Sequence, residues 1–316
     1  MAKIVITEFM DDAAVDALKQ QYDVFYDQTL ADRQDEIVPL VADAAALIVR
    51  NRTQVTADLL DAAPDLKCVG RLGVGLDNID MEACRERGVT VYPATGANNL
   101  CVAEYVITNA MLLLRGAYQS TEAMLQGEWP RQALIGHELA GRVMGLVGFG
   151  GIAREVAVRA SVLGMQVVAY DPYCLADDPG WQLARNVSLD GVLDYADVVS
   201  LHVPLTGDTK HMIDAEALAK MKSQAVIINT SRGGIIDEEA LASALSQGKL
   251  AGAALDVFET EPLSAEAAMK FSGLKNIILT PHIAGVTQES NVRVSAMTAQ
   301  TVLAHLDDAG EQAIHL

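Results

Sequence analysis

Little in this 316-residue chain is basic, sulfur-bearing or continuously apolar, and each shortage removes a class of function. Only 23 Lys and Arg stand against 42 Asp and Glu, a formal charge of −19. A surface of that sign repels nucleic acid and anionic membranes, so neither is expected as a partner. It also means that a site handling anions must supply its own local positive field. The four cysteines, Cys68, Cys84, Cys101 and Cys174, are far apart, with no C-x-x-C and no histidine at ligand spacing. They are expected to be reduced thiols, neither disulfides nor metal ligands, and no metal site is predicted. The longest apolar stretch, Val102 to Leu114, is interrupted by Glu104, Thr108 and Asn109, so no membrane span is expected. Met1 to Lys3 lead directly into a strand-like Ile4-Val5-Ile6, which predicts no signal peptide and a cytoplasmic location.

What is present is a globular composition, 51% hydrophobic and 21% charged, in a chain long enough for two domains. Short apolar strands alternate with helical stretches through the first third. Lys3–Thr7, Asp23–Tyr26, Ala46–Val49, Cys68–Gly70 and Val89–Tyr92 read as strands. Segments near Asp12–Gln21, Asp35–Val41, Ala57–Ala62 and Met81–Arg87 read as helices. A long helix from Val102 to Arg115 follows. A second run of strands then covers Arg142–Val147, Gln166–Tyr170, Val198–Leu201, Ala225–Asn229, Ala251–Leu255 and Asn276–Thr280, before a final helix from Gln288 to Asp308. Alternation of this kind predicts two doubly wound α/β domains with parallel sheets. Residues 1–97 and 287–316 are expected to form one domain and 98–286 the other, with an active-site cleft between them.

The strand Val143-Met144-Gly145-Leu146-Val147 runs straight into Gly148-Phe149-Gly150-Gly151-Ile152-Ala153, a G-x-G-x-x-A turn opening a helix. Gly148 and Gly150 permit a tight turn and close approach to a pyrophosphate, and the amides of Gly151 and Ile152 face it. A second strand ends at Asp171, 23 residues after Gly148, where a carboxylate can accept from adenosine ribose hydroxyls and repel a 2′-phosphate. Pro172-Tyr173 offers no arginine for such a phosphate, so NAD is the expected cofactor.

Three further strand ends carry reactive side chains: Asn229-Thr230-Ser231-Arg232-Gly233-Gly234, Asp256-Val257-Phe258-Glu259-Thr260-Glu261-Pro262, and Thr280-Pro281-His282-Ile283-Ala284-Gly285. With Gly73-Val74-Gly75-Leu76-Asp77-Asn78-Ile79-Asp80 and Leu201-His202-Val203-Pro204-Leu205-Thr206, they make the chain resemble the D-isomer-specific 2-hydroxyacid dehydrogenases over nearly its whole length. The resemblance implies a flavodoxin-like substrate domain, a Rossmann NAD-binding domain, and a homodimer formed through the latter. It assigns the chemistry to Arg232, Glu261 and His282. It puts Thr230, Ser231, Arg232, Asp256 and the His282–Gly285 loop (His282, Ile283, Ala284, Gly285) near the nicotinamide, with His202, Pro204 and Thr209 lining the cofactor. The chain departs from the family at Gly151, where Arg is frequent, and at Ala153, where Gly is.

These residue types suit the reaction. Reduction of a 2-keto acid develops an alkoxide that needs a proton, which a histidine can give near neutrality. A neighbouring carboxylate orients the imidazole and favours its charged form. An arginine can hold the substrate carboxylate in a bidentate pair and polarise the keto oxygen. Formate-oxidising relatives have Gln where Glu261 stands, so the carboxylate points to acid–base chemistry. His137, His211, His305 and His315 lack such a context and are expected to be ordinary surface or interface residues.

For the substrate, Arg50, Asn51 and Arg52 end a strand, and the loop through Val74 and Gly75 offers backbone N–H groups to a carboxylate. Phosphoglycerate-using relatives resemble the chain in having an arginine at position 50. Arg50 and Arg52 are thus expected to grip an anionic group on C3, with Arg232 and His282 at the reacting end. The expected substrate is a small anionic 2-hydroxy or 2-keto acid, 3-sulfolactate first, 3-phosphoglycerate second, glyoxylate or hydroxypyruvate third. No extension of the kind found in many phosphoglycerate enzymes is expected after Leu316. An NAD-sensing corepressor is the alternative from a different class, and the −19 charge argues against it.

Overall fold

The computed structural model describes residues 2–314, with side chains as far as Asp307; His315 lies outside the described residues. The chain divides into two compact units, 1–98 with 286–316, and 99–285.

The first unit begins with β1 (Lys3–Ile6), α1 (Asp12–Lys19), β2 (Asp23–Tyr26), α2 (Ile37–Val41) and β3 (Ala44–Val49). It continues through α3 (Ala57–Asp61), β4 (Cys68–Arg71), α4 (Met81–Glu86) and β5 (Thr90–Pro93). The second unit starts with α5 (Asn99–Arg115), α6 (Thr121–Leu125), β6 (Val143–Val147), α7 (Gly151–Val162), β7 (Gln166–Tyr170), β8 (Arg185–Asn186) and α8 (Leu189–Tyr195). Then come β9 (Val198–Leu201), α9 (Ala215–Lys220), β10 (Val226–Asn229), α10 (Glu238–Ser246), β11 (Gly252–Leu255), α11 (Ala265–Ala268) and β12 (Ile277–Leu279). Helix α12 (Gln288–Ile314) belongs to the first unit.

Both sheets are parallel throughout. The first has the order β2-β1-β3-β4-β5, the flavodoxin-like arrangement. The second runs β12-β11-β10-β9-β6-β7-β8, a Rossmann sheet with one added strand. All six residues of β3 are buried, and so are all four of β9, β10 and β11. Helices cover both faces of such strands, which is why they read as apolar runs without alternation. Helix α12 packs Val294, Ala299, Val302 and Leu306 into the core formed by Ile4, Ile6, Ile48 and Cys68. The fit is close: a Cβ on Gly70 in β4 would lie 2.8 Å from Thr298 Cγ2 and 2.9 Å from Val302 Cγ2.

The two doubly wound parallel sheets agree with the sequence pattern. The short β8 escapes that pattern because it is an edge strand of two exposed polar residues. Among the described residues no disulfide forms; Cys68, Cys84 and Cys101 are buried, and burial pushes the Cys68 thiol up to about 12. Among the described residues no helix is long and apolar enough to cross a membrane.

Candidate active site

In the second unit, β10, β11 and β12 are neighbours, so the segments after their carboxyl ends lie side by side. They deliver Arg232, Glu261 and His282. The His282 Nδ1 and Glu261 Oε2 atoms are 2.8 Å apart, both side chains partly exposed. The other Glu261 oxygen accepts from the Phe258 N–H at 3.0 Å. Burial raises the Glu261 carboxyl, but the hydrogen bonds from His282 and Phe258 and the Arg232 charge outweigh it, leaving a net lowering. Glu261 is therefore held as an anion beside the imidazole, and Nε2 is the ring nitrogen left for a substrate.

His282 has a φ of +53°, a conformation that L residues seldom adopt. It is held there from both sides. Its N–H reaches the Asp256 and Thr280 carbonyls at 2.8 and 3.1 Å. The buried Asp256 carboxylate accepts from Ile283 N and Ala284 N, each at 2.8 Å, and from Thr280 Oγ1 at 2.6 Å. Asp256 thus fixes the turn that aims the histidine, a second task beside the nicotinamide contact that the family resemblance implies.

The Arg232 loop is built on Asn229, whose Nδ2 donates to the Arg232 carbonyl at 2.9 Å while Oδ1 accepts from Ser231 N at 3.0 Å. Ser231 Oγ ties the loop to Leu201 O at 2.6 Å. Gly233 has no space for a side chain: a Cβ there would stand 1.8 Å from Phe258 O. The backbones carrying Arg232 and Glu261 are thus in direct contact.

The residues around the β6–α7 turn fit a dinucleotide. Gly148 has a φ of +87°, and a Cβ there would meet His202 O at 2.4 Å. Gly150 faces open space, and α7 begins without a side-chain cap, so its first N–H groups remain for an anion. At Gly151, where the family often has Arg, a Cβ would meet Asn99 Nδ2 at 2.5 Å. Thr230 Oγ1 is buried with no hydrogen-bond partner at the end of β10, where a bound nicotinamide nucleotide would supply one. Burial pushes His202 down to about 4, so this histidine is neutral, with Nε2 2.9 Å from Ser200 Oγ. The Thr209 hydroxyl donates to Pro204 O at 2.6 Å and closes that loop on itself.

Asp171 follows β7 and accepts from Phe149 N at 2.8 Å, Tyr173 N at 2.9 Å and Cys174 N at 3.2 Å. It both shapes the turn and presents negative charge there. The sequence pattern missed Arg154, which comes from α7 to within 3.6 Å of Cys174 Sγ. That arginine is bound to Asp178 at 2.9 Å, which reduces its availability to a 2′-phosphate.

The first unit holds the other expected residues. The buried Glu8 carboxylate, which the sequence pattern also missed, accepts from the N–H groups of Arg50 (2.8 Å), Asn51 (3.3 Å), Arg52 (3.1 Å) and Thr53 (3.0 Å). Only its place two residues after the apolar strand β1 could have marked it. Arg50 is drawn down from its ordinary pKa by burial, against the opposing charge of Glu8, and its Nη2 donates to Asn291 Oδ1 at 2.8 Å. Arg52 points elsewhere, into an exposed ion pair with Asp32. Among the described residues, the Val74 and Gly75 N–H groups have no protein acceptor. Of the remaining histidines, His305 meets the Tyr92 hydroxyl at 3.0 Å and His137 meets Gln224 at 3.4 Å, while His211 pairs with Glu259 at 3.1 Å.

Residues 107–284 match the family described as D-isomer specific 2-hydroxyacid dehydrogenase, NAD binding domain. The chain is 56% identical to (S)-sulfolactate dehydrogenase of Chromohalobacter salexigens over 96% of its own length and 97% of that protein's. It is 41% identical to hydroxypyruvate reductase of Thermotoga maritima, covering 86% and 88% of the two chains. Among solved structures, D-lactate dehydrogenase from Aquifex aeolicus, complexed with NAD and lactic acid, superposes with a TM-score of 0.81 at 28% identity, covering 98% of this chain and 97% of that one.

Proposed function

The chain belongs to the D-isomer specific 2-hydroxyacid dehydrogenase family, and from that premise we propose that it oxidises (S)-3-sulfolactate to 3-sulfopyruvate. The class is an NAD-dependent oxidoreductase of 2-hydroxy acids. The substrate rests above all on the 56% identity to a sulfolactate enzyme. A partly buried Arg50 suited to a fixed anionic tail agrees with it. The stereochemistry agrees too: the sulfonate-bearing carbon outranks the carboxylate in naming, so the D-configured acid is called S.

In this reading Arg232 holds the C1 carboxylate and steadies the developing carbonyl oxygen. His282 Nε2 takes the C2 hydroxyl proton as hydride leaves C2, and Glu261 stabilises the imidazolium so formed. Bound NAD supplies the hydride acceptor. The Val74 and Gly75 amides assist with the carboxylate, and Arg50 takes the sulfonate. Arg52, committed to Asp32, has at most a minor part. In a comparison of (S)-sulfolactate, D-3-phosphoglycerate and D-lactate with NAD, kcat/KM is expected to be highest for sulfolactate. A higher value for phosphoglycerate would transfer the assignment to that acid.

A second copy of the chain is the proposed partner, docking through the NAD-binding unit. Leu125, Trp129 and Ile135 follow α5 with 85%, 76% and 72% of their surface exposed. The same unit carries an open groove of about 670 Å³ lined by Ile107, Met111, Val158 and Val162. Apolar surface of this kind on both sides suits a self-complementary interface. The cytoplasm, which holds an NAD pool and keeps thiols reduced, is the proposed compartment.

A further inference from the structure

We propose that Glu238 is a positioning residue for the acid–base pair, acting through the peptide that leads to Glu261. Neither the sequence motifs nor the proposed mechanism uses this side chain. It is 3% exposed and stands at the first position of α10, where the positive end of a helix favours a carboxylate. A buried carboxylate is kept only where its oxygens are matched. One Glu238 oxygen accepts from the Glu259 N–H at 2.7 Å, and the other is 3.1 Å from Lys270 Nζ.

The first contact carries the inference. The Phe258–Glu259 peptide is fixed on one face by Gly233, whose missing Cβ would sit 1.8 Å from Phe258 O. Glu238 holds the N–H of that same peptide. One residue back along the chain, the Phe258 N–H holds Glu261 Oε1, and Glu261 Oε2 holds His282. Two hydrogen bonds therefore link the buried Glu238 to the catalytic carboxylate through a single short backbone segment. The charged groups around this segment are Lys270, Glu259, His211 and Glu239, with Arg232 acting on Glu261 itself. Glu259 returns a weaker contact, accepting from Glu238 N at 3.4 Å and meeting His211 Nε2 at 3.1 Å. That pair connects the loop after Thr209 to the same segment. Loss of Glu238 would free the Glu259 N–H and let Glu261 drift from the imidazole, with His282 and the dinucleotide turn untouched.

The inference rests on Glu261 and His282 being the acid–base pair, so His282→Ala is run beside the Glu238 variants. The assay uses NADH and the 2-keto acid that the wild-type enzyme reduces fastest. NADH affinity is read separately from its fluorescence. Glu238→Ala should lower kcat about tenfold, within the range by which a misplaced acid–base group slows turnover. It should leave NADH affinity within about twofold. The alkaline fall-off of reduction should move to lower pH, because a displaced carboxylate no longer favours the charged imidazole. Glu238→Gln keeps an acceptor for the Glu259 N–H and should recover most of the rate and the profile. Glu238→Asp keeps the charge beside Lys270 but shortens the reach, so it should shift the profile as alanine does, even if the alanine variant does not fold. An unshifted pH profile in both the Asp and Ala variants, or in the Asp variant alone where alanine does not fold, would overturn the proposal. So would equal losses in Gln and Ala with the profile unmoved, which would mean that Glu238 serves only to neutralise Lys270. Undiminished turnover in His282→Ala would instead overturn the acid–base reading itself.

Discussion

Replacing His282 by alanine is expected to lower kcat by about two to four decades, the scale on which a general acid–base group contributes, while NADH still binds. The size follows from the geometry. Nδ1 is engaged by Glu261 at 2.8 Å, so the imidazole is oriented and one nitrogen faces the reacting oxygen. The backbone at this position is separately secured by Asp256 and Thr280, so truncation beyond Cβ need not unravel the turn. The residues proposed to hold the dinucleotide lie around Gly148, Asp171 and Thr230, and their hydrogen bonds do not involve the ring. The pH behaviour has a definite sign. Because the folded Glu261 carboxyl is held below its ordinary value, its stabilising charge is present above the usual glutamate range. It is lost only as pH falls through that lowered value. Reduction should thus persist into mildly acidic solution, where Glu261 is still an anion. Stopped-flow hydride transfer with the alanine variant checks the first claim, and near-normal turnover would remove His282 from the mechanism.

Arg50→Ala is expected to raise KM for sulfolactate and to lower kcat/KM by about two decades, equivalent to roughly 2–3 kcal/mol for a charge-assisted contact. Turnover of D-lactate, which has no anionic tail, should be weak in the wild type and nearly unchanged in the variant. Arg50 also donates to Asn291, so the variant loses one contact inside the first unit. The lactate rate is the control for that loss. An equal fall on both acids would mean that Arg50 supports the loop and does not bind the tail. The loop itself has another anchor, the Glu8 carboxylate with its four backbone donors, which should keep residues 50–53 in place when the arginine is gone.

The parts of this protein that were legible from sequence are those written in local patterns. Buried parallel strands appear as runs such as Ala44–Val49 and Val226–Asn229 because both faces are covered. The Gly148–Ala153 turn is legible because a positive φ and a close backbone approach admit only glycine at position 148. Arg232, Glu261 and His282 each lie in the segment after an apolar strand, and it is the family resemblance of those segments that singles them out. Their mutual geometry depends on strand order, which the motifs do not contain. What escaped has long-range causes. Glu8 and Glu238 look like ordinary surface acids in a chain with 42 acidic residues. Only the fold buries them and aims backbone N–H groups at them. Arg52 reads as the equal of Arg50 until the structure turns it toward Asp32. Arg154 lies inside a helix and reaches the segment after Asp171 only because β7 lies beside β6.

The most direct test of the central claim is NADH formation from the two separate enantiomers of sulfolactate with NAD. The family is specific for the D isomers of 2-hydroxy acids, and the D-configured form of sulfolactate is the S enantiomer. The account predicts rapid NADH formation from (S)-sulfolactate, with 3-sulfopyruvate as the product, and essentially none from the R enantiomer. Equal rates from both enantiomers, or no NADH from the S form while another 2-hydroxy acid is turned over rapidly, would contradict it.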